Sequence, residues 1–335
     1  MPEAAPEPPP APEQTAEAKP EAAPPAAPLA APEGAEPQEP AAQDAPPEAP
    51  PEPAETQQAA IPRLPSPEPL PLWRRNAQPF EAPETRPRIA VVLTGLGLSS
   101  AATEAAIKQL PGPISLSFTP YSRRLNEWIA LARVNGHEVL LDLPMEPTSY
   151  PDDDPGPQAL LTALSPRQNL ERLDWALRRA TGFVGVAAVM GSRFLASEEH
   201  MTPILEALKT RGLLFLDNRD SDASVAGPLA QKIGVANAVN HRFLDRAQAS
   251  RIAIDDRLVQ LERIARSEGF AVAIGQPYPV TIERLAKWAA DLEARGFVLA
   301  PLSAVAAARL ERHSGLRDPA ALGTKGEGTS RGVTQ

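Results

Sequence analysis

From Arg88 to about residue 302 the chain alternates short β-branched or leucine-rich runs with amphipathic stretches of 10–18 residues. That alternation leaves few folds open, because each apolar run must pair in a sheet while each amphipathic stretch buries one face upon it. Strands are predicted at Ile89–Leu93, Ile114–Phe118, Glu138–Leu143, Phe183–Val189, Leu213–Asp217, Val235–Asn240, Ala271–Gly275 and Phe297–Leu302. Helices are predicted at Ser100–Gln109, Leu125–Asn135, Pro166–Ala180, Glu198–Arg211, Ser224–Ile233, Ser250–Glu268 and Thr281–Arg295. Asn135-Gly136, Arg211-Gly212 and Arg295-Gly296 supply left-handed stops that turn the chain into the next strand. A crossover helix after every strand but the last implies a parallel sheet. A span of about 210 residues suits a distorted (β/α)7-8 barrel better than an open doubly wound sheet. No Gly-x-Gly-x-x-Gly fingerprint is present, and Thr94-Gly95-Leu96-Gly97-Leu98 lacks the third glycine.

The flanks follow different rules. Residues 1–90 hold 26 of the 41 prolines, and residues 1–60 carry twelve acidic side chains and one basic one, Lys19. Such a segment has too little apolar bulk to offset the entropy of ordering. Residues 1–60 therefore read as a disordered acidic Pro/Ala-rich tail, either a spacer or an inert solubilising segment. Its charge of −11 against −9 for the whole chain leaves the remainder at +2, so no basic surface argues for nucleic acid. Residues 61–87, with Leu64, Leu70, Leu72, Trp73 and Phe80 scattered among prolines, read as an arm packing on the barrel domain, 88–310. Residues 311–335 read as a second disordered tail. With no cysteine, disulfide and thiolate chemistry are excluded. No run of 18 apolar residues and no export signal is visible, so membrane tethering is expected only through a segment upstream of Met1.

In parallel α/β folds ligands gather beyond the carboxyl ends of the strands. The polar residues there are Thr94; Asp142 and Glu146; Ser192 and Arg193; Asp217, Asn218 and Arg219; His241 and Asp245; and Gln276 and Tyr278. Carboxylates accept from hydroxyls and ring faces cover C–H surfaces, so this mixture suits a polyol such as a sugar. Arg193 and Arg219 can clamp an anionic group or pair with neighbouring acids. Glu146 can bind ligand or cap its loop. Of the four histidines, His137 and His200 read as structural or surface residues, His313 falls in the tail, and His241 alone stands at a strand's carboxyl end. Asp152-Asp153-Asp154 lacks the alternating spacing of a calcium loop and reads as a solvated turn. Trp128, Trp175 and Trp288 read as core.

Five segments make the pattern more specific: Pro144-Met145-Glu146-Pro147 with Tyr150-Pro151 and Pro155-Gly156-Pro157; Met190-Gly191-Ser192-Arg193-Phe194; Leu216-Asp217-Asn218-Arg219; Phe243-Leu244-Asp245; and Ile274-Gly275-Gln276-Pro277-Tyr278-Pro279. In order and spacing they resemble the divergent polysaccharide deacetylase family. The resemblance implies a distorted barrel related to esterases that remove N-acetyl groups from glycans, in a periplasmic or cell-envelope setting. It also implies one divalent metal such as zinc, which polarises the acetyl carbonyl and acidifies a bound water, with a carboxylate as base.

The sequence departs from that family where the metal would be held. The family's Ile-Asp-Asp-Leu-Gly is here Leu93-Thr94-Gly95-Leu96-Gly97, its Asn-Asn-His before Met-Gly-Ser is Ala187-Ala188-Val189, Asp142 stands for one histidine and Gln276 for another. Three readings follow. The first is a glycan-binding protein of carbohydrate metabolism with a degenerate site and no metal cofactor. Its ligand would be a cell-wall glycan or an envelope protein held by Ser192, Arg193, Arg219, His241, Gln276 and Tyr278. The second is an active amide hydrolase with Asp142, Glu146 and Asp217 as catalytic residues and a metal on Asp142, Asp217 and His241. The third is a structural envelope protein on a proline-rich spacer.

Overall fold

The computed structural model describes residues 70–80 and 85–314. The acidic segment 1–60, the rest of the arm and residues 315–335 lie outside the described residues. The side chain of His313 does too. Nine parallel strands are described: β1 (Arg88–Leu96), β2 (Ser115–Phe118), β3 (Val139–Met145), β4 (Gly185–Met190), β5 (Leu214–Asp217), β6 (Asn237–Val239), β7 (Arg242–Phe243), β8 (Phe270–Gly275) and β9 (Val298–Leu299). Helices are α1 (Leu72–Arg75), α2 (Ser100–Gln109), α3 (Leu125–Val134), α4 (Pro166–Leu177), α5 (Glu198–Thr210), α6 (Ala226–Ile233), α7 (Arg251–Glu268), α8 (Pro279–Ala290) and α9 (Leu302–Ser314). Among the described residues no helix is long and apolar enough to cross a membrane.

The sheet order is β6-β5-β4-β3-β2-β1-β8-β7, with β9 paired beside the start of β1. This is a curled, distorted (β/α) barrel, and two expectations need correction. No helix separates β6 from β7; the two are joined by Asn240-His241 alone. Asn240 N–H donates to Asp217 O at 2.9 Å on β5, and the next amide, His241 N–H, donates to Val272 O at 2.9 Å on β8. The chain itself closes the barrel at that seam. At the other correction, the expected last strand shrinks to Val298–Leu299 and the chain enters α9, which continues past residue 310.

Side chains alternate across the pleated strands. Ile89, Val91, Leu93, Leu141, Val186 and Phe215 pack outward under the helices. Ala90, Val92, Leu140, Ala187, Leu214, Leu216, Val272 and Ile274 pack inward, joined by Leu302 and Val305 of α9 and by Trp73 of α1. Burial on both faces is why the strands read as unbroken apolar runs. At the strand-start end the arm is tied by Trp73 N–H to Gly212 O at 2.8 Å and Asn76 Nδ2 to Phe183 O at 2.8 Å. Gln78 N–H also donates to Oε2 of the fully buried Glu138 at 3.3 Å.

Candidate functional site at the barrel mouth

A cavity of about 660 Å³ opens at the carboxyl ends of the strands. Each strand delivers its polar residues there by ending, since the loops that follow begin at the barrel rim. The cavity is lined by Thr94 near the end of β1, Thr148, Ser149 and Asp153 after β3, Met190 as the last residue of β4 and Ser192 after it, Asn218, Asp220 and Ser221 after β5, Phe243 as the last residue of β7 with Asp245 and Arg246 after it, and Gln276 and Tyr278 after β8.

Three predicted mouth residues do meet. Gln276 Nε2 donates to Thr94 Oγ1 at 3.1 Å, and Gln276 N–H donates to Asp245 Oδ2 at 2.8 Å. Thr281 Oγ1 donates to the same Asp245 oxygen at 2.7 Å, and burial pushes the Asp245 carboxyl up from its ordinary range. Ser192 Oγ accepts from Thr148 N–H at 2.9 Å. Tyr278 is 47% exposed at the edge of the cavity.

The three carboxylates singled out in the sequence are committed elsewhere. Asp142 points into the barrel interior beneath the cavity. Its Oδ1 accepts from Ser117 Oγ at 2.5 Å and its Oδ2 from Gly95 N–H at 2.9 Å. Burial dominates, pushing its pKa from 3.8 up to about 7. Asp217 accepts from Arg219 N–H at 2.8 Å, Ser224 Oγ at 2.9 Å and Gly227 N–H at 3.1 Å, which folds the loop back onto the start of α6. Burial raises its pKa too. Glu146 Oε2 accepts from Thr162 N–H at 2.5 Å and Thr162 Oγ1 at 2.7 Å, while Oε1 pairs with Arg193 at 3.2 Å. Glu146 therefore ties the β3–α4 loop, and Arg193 is occupied in holding it.

His241 is not at the mouth. Its register against Val272 turns the ring to the strand-start end, where Nδ1 accepts from Val272 N–H at 3.0 Å and Nε2 lies 3.5 Å from Glu268. Burial lowers its pKa first, and Glu268 opposes that. His137 has both ring nitrogens against the carbonyl oxygens of Ile114 and Ile107, far from the mouth. Asp142, Asp217 and His241 are thus not brought together, and no three of His, Asp and Glu converge in metal-binding geometry among the described residues.

Residues that sequence reasoning missed line the cavity as well. Asp220, whose side chain is 5% exposed, pairs with Arg246 at 2.5 Å, and Arg246 lies 4.8 Å from the centre of the Phe243 ring. Asp220 follows the end of the predicted fifth strand by three residues, a signal that was available, whereas Arg246 follows β7, which the sequence did not reveal. Two non-glycine residues have left-handed backbones, Met190 (φ 57°) and Arg219 (φ 52°), and both stand at the rim. Asn218 Nδ2 bonds Met190 O at 2.8 Å and Asn240 Nδ2 bonds Asn218 O at 3.0 Å, a ladder that holds both loops in these costly conformations.

A model of the divergent polysaccharide deacetylases matches residues 91–306. The chain belongs to that family. An uncharacterized protein of Haemophilus influenzae is 32% identical over 198 residues, covering 58% of this chain and 68% of its own. The uncharacterized protein YibQ of Escherichia coli is 30% identical over 227 residues, covering 64% and 67%. The crystal structure of an uncharacterized protein from Agrobacterium tumefaciens superposes with a TM-score of 0.68 at 33% identity, over 70% of this chain and 95% of that one.

The donor set at the mouth does not fit the family's divalent metal. Position 94 offers a hydroxyl already bonded to Gln276, and position 189 offers a valine. Gly95 has φ 79°, and a Cβ there would meet Gln276 Oε1 at 3.0 Å, so an acid at this position would need a strained backbone and a small shift of the glutamine. The replacements at 94, 95 and 276 are therefore neighbours in space.

Proposed function

We propose that this protein binds a glycan at the barrel mouth and does not carry out metal-dependent deacetylation. The observation that carries the reading is Gln276 lying over Gly95 and bonded to Thr94, where the family's acids and histidine would stand. Hydroxyl, amide and carboxylate groups ring the cavity, and Tyr278 and Phe243 offer ring faces. That combination suits a polyhydroxylated ligand, because directional bonds to hydroxyls and stacking on C–H faces act together. Family membership favours a cell-wall glycan as ligand and the cell envelope as setting.

Two measurements test the reading on the purified chain. Calorimetric titration with a chitooligosaccharide should give saturable heat that Tyr278→Ala weakens by about tenfold, within the range of one lost ring contact. Elemental analysis should find less than one equivalent of zinc after dialysis. Stoichiometric zinc together with release of acetate from the oligosaccharide would overturn the proposal.

A further inference from the structure

Beside the mouth lies a second cleft of about 670 Å³, lined by Arg219, Arg242, Arg246 and Arg257 and by a single carboxylate, Asp222. Phe243 and Arg246 border both cavities, so a ligand seated in one can reach the other. The charges in the cleft are poorly balanced from within. Gln260 Oε1 accepts from Arg242 Nε at 3.1 Å and from Arg257 Nη1 at 3.1 Å, so two guanidiniums converge on one neutral amide oxygen. Neither has a carboxylate within ion-pair distance among the described residues. Among the described residues Arg219 forms one ion pair, with Asp222 at 3.6 Å, and that carboxylate is fully exposed, a pair of little strength in water. Arg246 alone is firmly paired, to Asp220.

The loop is built to keep Arg219 at this place. The Arg219 backbone is left-handed, and Asp217, anchored by Ser224 and Gly227, accepts its N–H. A buried carboxylate thus spends its bonds holding an arginine in a strained conformation at the cleft wall. The first turn of α7 contributes Ala253 to the same wall, which adds the positive end of an 18-residue helix to the field.

We propose that this cleft is an anion subsite, and that the glycan bound at the mouth is an acidic one whose carboxylate sits among Arg219, Arg242 and Arg257. The proposal rests on the glycan reading above and gives it a charge. Guanidinium forks match a carboxylate's two oxygens, and the bonds are charge-assisted.

The test titrates the full chain with two probes of one saccharide: an oligosaccharide bearing a carboxylate on a lactyl substituent, and the same molecule with that carboxylate amidated. Expected is about tenfold tighter binding of the acid at low ionic strength, a gap that narrows as salt is raised. The double variant Arg242→Gln/Arg257→Gln should bring acid and amide to equal affinity. Should that variant unfold, Arg219→Gln, on a half-exposed side chain, should reduce the ratio in the same direction. Equal binding of the two probes to the unaltered chain overturns the anion subsite and leaves glycan binding standing. Absence of heat with either probe removes both proposals.

Discussion

Replacing Asp142 by asparagine should flatten part of the pH dependence of folding. The carboxyl is 3% exposed, and burial raises its pKa from 3.8 to about 7 despite its bonds from Ser117 and Gly95. A carboxyl with a higher pKa folded than unfolded keeps its proton in the fold after the unfolded chain has released it. Stability therefore falls as pH rises from about 4 to about 7 and changes no further above that window. At about 1.4 kcal/mol per pH unit, the loss from Asp142 alone is about 4 kcal/mol. Asparagine keeps the shape. Its amide oxygen accepts from Gly95 N–H and its NH₂ faces Ser117 Oγ, which has lone pairs to accept. Urea unfolding of both proteins between pH 4 and pH 8.5 reads the effect. Glu138, Asp217 and Asp245 are raised by burial as well, so both proteins lose stability with rising pH, and the difference between the curves isolates Asp142. The two curves should diverge across the window, leaving Asp142→Asn the more stable protein at pH 8. Parallel curves would refute the reasoning, because they would mean that the carboxyl titrates alike in the folded and unfolded chains.

Three further outcomes are expected. Trp73→Ala empties a site that is 6% exposed among inward-facing strand residues and should cost about 3–5 kcal/mol in denaturant unfolding. Asp217→Ala strands the donors of Arg219, Ser224 and Gly227 and should cost about 2–3 kcal/mol, while also lowering the acid-to-amide binding ratio through release of Arg219. Tyr278→Ala, at a side chain nearly half exposed, should leave the urea midpoint within about 0.5 kcal/mol of the unaltered chain while weakening saccharide binding, which separates a contact residue from a structural one.

Much of the barrel was legible because local signals and tertiary packing agree. α2 was predicted at its observed limits, since Ser99 caps it by accepting from Ala102 N–H and the apolar period runs through Thr103, Ala106 and Ile107. The β6–β7 seam was not legible, because Asn240-His241 carries no turn signal and its bonds go to β5 and β8, across the chain. α9 was not predicted: Leu302 was read as the end of the last strand, residues 303–310 were placed in the barrel domain without an element and 311 onward in the tail; Leu302 and Val305 gain their role only from the barrel interior they fill. At the site, residue types at strand ends were readable and their commitments were not. His241 looks like a rim histidine until its register with Val272, 31 residues on, fixes which way the ring turns. Asp217 looks like a catalytic acid until Ser224 and Gly227 are seen to close on it. The covering of Gly95 by Gln276 joins residues 181 positions apart, beyond any local pattern.

Leu70 and the helix that follows it are seated where the strands begin, against Gly212 and Phe183, while the cavity opens where the strands finish. None of the arm residues Leu72–Asn76 lines that cavity. Changes in the arm can therefore loosen the end where the strands begin while every side chain that rings the opening keeps its own neighbours.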